Sequence, residues 1–220
     1  MIEASTLNFL KHLSENNNRE WFNENKSDYE LARENILQFT SRLILGLAKF
    51  DSTIPADLNP KDCVMRIYRD IRFSKDKTPF KTNFGIAISA NGKNFKGPGY
   101  YVHIQPGKCF VAGGSWFPEA EELKAIRQEI DYNGSDLLTI LKEPSFIEAF
   151  GDLDRDGALK TTPKGYSADH ENIEYLKLKS FTATSQISDK VLKNADSADS
   201  LVSILKRLFP LIVFLRNAIS

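Results

Sequence analysis

The chain has 220 residues, of which 41% are hydrophobic and 26% charged, and its 29 basic residues equal its 29 acidic residues in number. This composition is typical of a globular protein and argues against disorder. A net charge of zero disfavours a protein dedicated to nucleic acid, since long-range attraction to phosphate polymers needs positive charge, but it allows a local basic surface.

The first 50 residues have the spacing of helices. Apolar residues recur every three or four positions from Leu7 to Leu13, and Ser5 can cap this first helix. A second apolar stripe runs from about Asn18 to Leu47. It predicts one unbroken amphipathic helix of roughly 45 Å.

From residue 63 the apolar period changes to two, which is typical of strands. The alternating segments are residues 63–72, 84–89, 100–105 and 109–116. Their short connections predict an antiparallel meander. A further alternation over residues 175–182 predicts a late strand that joins the same sheet.

Helices are predicted again after the first four strands. Pro118 and the acids that follow it open one helix, and shorter helices follow over residues 135–141 and 145–150. The last helical pattern covers residues 197–218, and Pro210 should kink it or divide it.

We therefore predict one α+β domain over residues 1–220, because helices flank a run of strands and no linker or repeat interrupts the chain. It would be helical over residues 1–50, strand-rich over 63–117 and mixed over 118–220. The antiparallel sheet would have about five strands packed against N-terminal, middle and C-terminal helices.

The cellular location expected is the cytoplasm. The N-terminus lacks the pattern of a signal peptide, and the longest apolar run, residues 211–215, is too short to cross a bilayer, so no membrane contact is expected. The thiols of Cys63 and Cys109 are interpreted as reduced, although a single bridge between neighbouring strands would also fit. The sequence leaves the oligomeric state open.

The main chemical feature is a basic segment, residues 61–81, which holds seven basic and three acidic residues. If residues 63–72 form a strand, one of its faces carries Arg66, Tyr68, Asp70 and Arg72. By the same alternation, a face of a nearby strand carries Tyr101, His103 and Gln105, and a face of the late strand carries Lys177 and Lys179. The candidate ligand-binding residues are the cations and phenols of this segment and of the strand faces predicted near it: Arg66, Tyr68, Arg69, Arg72, Lys75, Lys77, Lys81, Tyr101 and Lys179.

Three interpretations of this basic segment stay open. Arginine and lysine on one surface would suit a small anion that carries phosphate or carboxylate. The same surface could serve a nucleic-acid or protein-interaction module, although zero net charge makes nucleic acid the weaker choice. Alternatively, the cations and the acids Asp70 and Asp76 pair with each other and only fix a loop.

His103 is the candidate catalytic residue, as a general acid or base, because it is the one histidine on a predicted sheet face near tyrosines and bases. A hydrogen-bonded structural role is the alternative. The other histidines, His12 and His170, are far away in sequence, so no metal site is expected. No phosphate-binding loop or dinucleotide fingerprint occurs, so no cofactor is expected.

Five stretches carry a resemblance to a known family. They are RIYRDIRFSKDKTPFKT (residues 66–82), NNREWF (17–22), GYYVHI (99–104), GGSW with Pro118 (113–116) and YLKLKSF (175–181). They span nearly the whole chain, and the first is long enough to be specific. The chain thereby resembles a widespread microbial family of uncharacterised proteins, catalogued as a domain of unknown function. This resemblance implies a family but no activity, ligand or site residue.

Overall fold

The computed structural model describes residues 1–94 and 97–220. Within these residues the chain is α+β, as predicted, with ten α-helices and one antiparallel sheet. The sheet has four strands in the order β1 (Phe84–Ile88), β2 (Gly99–Ile104), β3 (Cys109–Ser115) and β4 (Phe181–Ile187). The prediction of about five strands is therefore wrong.

The helices precede, separate and follow the strands. They are α1 (Ala4–Glu15), α2 (Arg19–Glu24), α3 (Lys26–Ala48), α4 (Pro60–Cys63), α5 (Ala120–Leu141), α6 (Pro144–Phe150), α7 (Ile173–Leu176), α8 (Asp189–Leu192), α9 (Ser197–Lys206) and α10 (Phe209–Ala218), with a short 3-10 helix at Gly92–Asn94. None of the helices described is long and apolar enough to cross a membrane.

The chain forms two compact units. The first comprises Met1–Asn94, Tyr101–Val111 and Gln186–Ser203. The described residues of the second are 97–100, Ala112–Ser185 and Ile204–Ser220.

The first unit contains an aromatic core that joins its helices to the segment before β1. The ring of Phe22 stacks on that of Phe80, with centroids 4.0 Å apart, and lies 5.1 Å from the ring of Tyr29. The ring of Phe9, on α1, lies 6.4 Å from the ring of Phe22 and belongs to the same cluster. The stacking of Phe22 on Phe80 thus holds the segment before β1 against α2.

The long helix predicted from Asn18 to Leu47 is divided at Asn25. The backbone there leaves the helical region, with φ −105° and ψ 25°, and the Asn25 side chain donates to the carbonyl of Trp21 at 2.8 Å. The amide thus caps the end of α2 before α3 begins. Asn18 does cap a helix as expected, since its side chain accepts from the Trp21 amide at 2.9 Å.

The strand predicted over residues 63–72 does not form. After α4, the segment makes only isolated antiparallel bridges, between Val64 and Ile86 and between Tyr68 and Phe80. Beyond Arg69 the side chains bond to their own loop, and these local bonds replace a strand ladder.

The second unit packs α5 against α10. Its late strand begins at Phe181, later than the predicted residue 175, because residues 173–176 form the turn of helix α7. The guanidinium of Arg127 donates to the carbonyls of Leu176 and Leu178, at 2.8 and 3.1 Å. These bonds occupy carbonyls that a strand would have offered to a neighbour.

Of two further predictions about helices, one is confirmed and the other is wrong. Pro210 does divide the last helical pattern, since α9 ends at Lys206 and α10 begins at Phe209. The helices predicted before and after residue 133 are one helix, α5, kinked at Asn133 with φ −123°.

Candidate functional site

Strand β2 presents two different faces within the first unit. Val102 and Ile104 are buried in the core, whereas Tyr101 and His103 on the opposite face are half-buried. This alternation follows from the period of two along a strand. The predicted common face of Tyr101, His103 and Gln105 is thus present.

His103 is hydrogen-bonded at both ring nitrogens. Its Nδ1 lies 3.1 Å from the Tyr101 hydroxyl and 3.5 Å from the Asn83 amide nitrogen, and its Nε2 lies 3.1 Å from Gln105 Oε1. Gln105 Nε2 donates to Thr82 Oγ1 at 3.4 Å. This orientation of the Gln105 amide puts the ring proton on Nε2, so Nδ1 accepts from Tyr101. We call these five residues the His103 cluster.

Burial controls the protonation of this cluster. It lowers the pKa of His103 below its ordinary value, and the hydrogen bond to Gln105 only partly opposes the shift. Burial also raises the pKa of Tyr101. At neutral pH the cluster therefore holds a neutral imidazole and a protonated phenol, which can accept and donate a proton respectively.

Neighbouring side chains hold the cluster against the sheet. The Phe110 ring stacks on the imidazole of His103, with centroids 4.6 Å apart and planes inclined by 10°. On β1, Gly85 leaves space for Tyr101, since a Cβ at this position would lie 2.7 Å from the Tyr101 hydroxyl and 3.1 Å from Met65 Sδ. Gly85 and Phe110 belong to no sequence motif. Only their positions on β1 and β3, the strands that flank β2, could have indicated these contacts.

The basic segment runs beside the His103 cluster as an antiparallel ribbon. The amide of Met65 donates to the carbonyl of Gly85 at 2.9 Å, and that of Lys81 donates to the carbonyl of Ile67 at 2.7 Å. Lys81 is on the second segment of this ribbon and is followed directly by Thr82 and Asn83, two members of the His103 cluster. Arg66 is on the first segment, between Met65 and Ile67, whose backbone groups make these two hydrogen bonds.

Asn17 fixes the ribbon to the helical part of the first unit. Its side-chain amide donates to the carbonyl of Phe80 at 2.9 Å and accepts from the amide of Phe80 at 3.1 Å. This pair of bonds satisfies the amide and the carbonyl of Phe80, which face away from its bridge partner Tyr68. Asn17 lies in the NNREWF stretch (17–22), whose pattern does not predict this contact.

Arg69 braces the loop at the end of the ribbon. Its guanidinium contacts the Asp76 carboxylate and the Thr78 hydroxyl, and reaches Ser74 Oγ at 3.5 Å. Hydrogen bonds from Thr78 and Arg69 hold the pKa of Asp76 down at about 2. Arg69 is thus committed to the loop itself, as the structural interpretation of the segment expected.

Arg72 and Lys77 also bond within the loop. Arg72 forms a two-point contact with Asp70, at 3.0 and 2.7 Å, and the ammonium of Lys77 donates to the carbonyl of Ile71 at 2.9 Å. The prediction that Arg66, Tyr68 and Arg72 share a strand face is wrong, because no strand forms there. 

Three residues of the basic segment have different environments. Tyr68 is 53% exposed, and its ring lies 5.3 Å from that of Phe80. Lys75 is exposed on the loop, and Arg66 is exposed on the ribbon. In the part of the chain that the structure describes, neither cation forms an ion pair, although the charge of Arg66 contributes to the lowered pKa of Asp70.

Lys81 combines partial burial with an unpaired charge. Its pKa is lowered first by burial and then by the positive charge of Arg66. No carboxylate in residues 1–94 or 97–220 forms an ion pair with it. Neither Arg66 nor Lys81 forms an ion pair within the described residues, and the two cations lie close enough to repel, although the charge of Arg66 also lowers the pKa of Asp70. We call them the Arg66–Lys81 pair.

Lys179 belongs to the second unit and lies on an exposed bend. Its predicted position on a strand face is wrong, because β4 begins two residues later. Lys177, its predicted neighbour on that face, pairs with Glu174 at 2.8 Å.

The remaining candidate groups are the two thiols and the possible metal ligands. Cys63 and Cys109 are both free and buried, and burial raises the pKa of each thiol to about 11. Among the described residues, no group of three histidines, cysteines or acids could hold a metal ion.

Comparison with known proteins gives one match. A family model described as "Conserved hypothetical protein (DUF2461)" matches residues 5–214. No curated protein and no solved structure matches the chain. Because the match extends over nearly the full length, the chain belongs to the DUF2461 family of conserved hypothetical proteins.

Proposed function

We propose that this protein binds a small anionic ligand, bearing phosphate or carboxylate, at the Arg66–Lys81 pair beside the His103 cluster. The observation that carries this proposal is the half-buried Lys81 ammonium, which has a cation for a neighbour and no acid partner among the described residues. Such an arrangement destabilises the charged form of Lys81. A bound anion would supply the missing charge and accept hydrogen bonds from both side chains.

The His103 cluster would bind the uncharged part of the ligand. Thr82 and Asn83 follow Lys81 directly and hydrogen-bond to β2, so a ligand at Lys81 would lie near hydroxyl and amide groups. A site with one charged contact and a few fixed polar groups is usual for small molecules. Tyr101 would orient the ligand through its hydroxyl.

The remaining predicted residues have a supporting role in this proposal. Arg69 and Arg72 already bind acids of the loop, so they hold the ribbon in shape and do not contact the ligand. Lys77 is engaged by a backbone carbonyl. Replacing Arg69 would thus affect the site indirectly, through the loop.

The test is a thermal-shift screen with inorganic phosphate, sugar phosphates, nucleotides and polycarboxylates, on wild-type protein and the Lys81→Met variant. A ligand at about 100 times its Kd stabilises a protein by about 2.7 kcal/mol, which is easily detected. We expect a wild-type hit that Lys81→Met abolishes. Without ligand, we expect Lys81→Met to melt at or above the wild-type temperature, because it removes an uncompensated charge.

The control variants distinguish binding at the Arg66–Lys81 pair from a general attraction of anions to surface cations. Arg66→Ala should weaken the same ligand, whereas Lys124→Ala and Lys164→Ala, which remove exposed cations elsewhere, should not. The proposal fails if no anion shifts the wild-type melting temperature. It also fails if Lys81→Met melts early in the absence of ligand, since Lys81 would then be a structural residue.

His103 favours a second candidate function, proton transfer on the bound ligand. Its imidazole is neutral at neutral pH and can accept a proton, and its hydrogen bond to the Tyr101 hydroxyl fixes the orientation of the ring. The test uses any carboxylate found by the screen, incubated with protein in D₂O. Exchange of its carbon-bound hydrogen, followed by NMR and lost in His103→Gln, would support catalysis; binding without exchange would leave His103 a structural residue.

A further inference from the structure

Phe73 is presented to solvent at the end of the basic loop. Its side chain is 97% exposed, so both faces of the ring are open. Single exposed apolar residues are common on proteins. The loop that carries Phe73 is, however, held in place by side-chain bonds on both sides.

These bonds also decide the charge of the loop. Asp76 is bound by Arg69 and Asp70 is bound by Arg72, so both acids of the loop are neutralised internally. Lys75 and Lys77 have no acid partner within the described residues. The loop therefore displays one open aromatic ring and two ammonium charges without an acid partner among the described residues. One of them, that of Lys77, also donates to the carbonyl of Ile71 and keeps two N–H groups for a ligand.

We propose that Phe73, Lys75 and Lys77 form a contact surface for single-stranded nucleic acid. Bases stack on exposed aromatic side chains without regard to sequence, while lysines bind the adjacent phosphates. This surface is distinct from the Arg66–Lys81 pair, so the inference goes beyond the proposed small-anion site. Because the chain carries no net charge and offers few phosphate contacts, binding is weak and short-range.

The surroundings of Phe73 favour nucleic acid over a protein partner. The exposed neighbours that follow it are Lys75, Asp76 and Lys77, all of them charged. The central part of a protein–protein interface is depleted in charged residues, and lysine is rare there. An exposed ring beside basic groups, as in this loop, is the combination by which proteins bind single-stranded nucleic acid.

The experiment measures fluorescence anisotropy of a fluorescein-labelled 20-nucleotide oligodeoxythymidylate at low and moderate salt. We expect saturable binding, weakened about tenfold by Phe73→Ala and preserved by Phe73→Trp. Lys75→Ala should reduce the slope of log affinity against log salt by about 0.7. Circular dichroism should show no change in fold, since the Phe73 side chain is solvent-exposed.

Several results would overturn the proposal. Phe73→Leu keeps an apolar side chain but cannot stack, so wild-type affinity in this variant would exclude base stacking. Equal binding of labelled polyglutamate would indicate a surface for an acidic protein. Tyr132→Ala, which removes a ring that is 73% exposed elsewhere, should leave binding unchanged. Absence of oligonucleotide binding at low salt also refutes the proposal, whatever the outcome for Lys81→Met.

Discussion

The Nδ1 atom of His103 lies 3.1 Å from the hydroxyl oxygen of Tyr101, two residues away on the same face of β2. Side chains two apart on a strand point the same way, so the strand brings the two groups together. The Tyr101 hydroxyl lies over Gly85 of β1, which has no side chain and so leaves room for the phenol on this face of the sheet. The contact thus depends on residues from two strands.

Gly85→Ala should disturb this contact. The new Cβ would lie 2.7 Å from the Tyr101 hydroxyl, so the phenol or the strand must move. Overpacking of this kind typically lowers the free energy of unfolding by about 1–3 kcal/mol. We expect lower stability in urea and a changed His103 imidazole resonance by NMR.

Gly46→Ala is the matched control for that variant. Its Cβ would lie 2.5 Å from Val202 Cγ2, a similar overlap between helices α3 and α9. It should alter stability without changing the His103 resonance. If both variants change the resonance equally, the effect of Gly85→Ala is general and not local to Tyr101.

The pKa of His103 should respond in opposite directions to its two neighbours. Gln105→Leu should lower it further, because Gln105 accepts a hydrogen bond that favours the protonated ring. Tyr101→Phe should raise it, because the phenol donates to the neutral ring. Titration of the imidazole resonances by NMR measures both shifts, and shifts of the same sign would contradict the assigned tautomer.

Folding stability should fall in mild acid because of His103. Its pKa in the folded chain is below the ordinary value of 6.5, so unfolding takes up a proton when the pH is between the folded and unfolded values. The contribution is fully present above pH 6.5 and is lost as the pH falls through the folded pKa. The free energies of unfolding of wild type and His103→Gln, measured by urea denaturation, should converge as the pH falls through this window.

Asp76 should titrate far below an ordinary aspartate. Its pKa of about 2, against 3.8, reflects bonds from Thr78 and Arg69. Its contribution to stability is present above pH 3.8 and is lost as the pH falls through about 2. NMR titration of the carboxyl carbon should give this midpoint, and Arg69→Gln should raise it. A wild-type midpoint near 3.8 would mean that the loop is not braced.

Both thiols should react slowly in the folded protein. Their pKa of about 11 leaves little thiolate at pH 8, and both are buried. A colorimetric disulfide reagent should label neither Cys63 nor Cys109 within minutes, and both at once in 6 M guanidinium. Rapid labelling of one thiol without denaturant would show that its strand or helix opens locally.

Sequence alone determined the features that depend on local periodicity. The alternation of β2 placed Tyr101 and His103 on one face, and Pro210 marked the division between α9 and α10. These features follow from the geometry of one strand or one helix. Family membership likewise belongs to the sequence, since the family model matches residues 5–214.

Only the tertiary structure decided what the basic segment does. Residues 63–72 alternate as a strand would, yet their polar side chains find partners within their own loop, and the backbone follows those bonds. Whether Arg69 and Arg72 are free or paired depends on where Asp76 and Asp70 lie, which no periodicity specifies. The same applies to Lys81, whose partial burial beside Arg66 arises from the pairing of residues 65–69 with residues 79–85. Side-chain pairing and burial depend on where the folded backbone places each group, so they become visible only when the chain is folded.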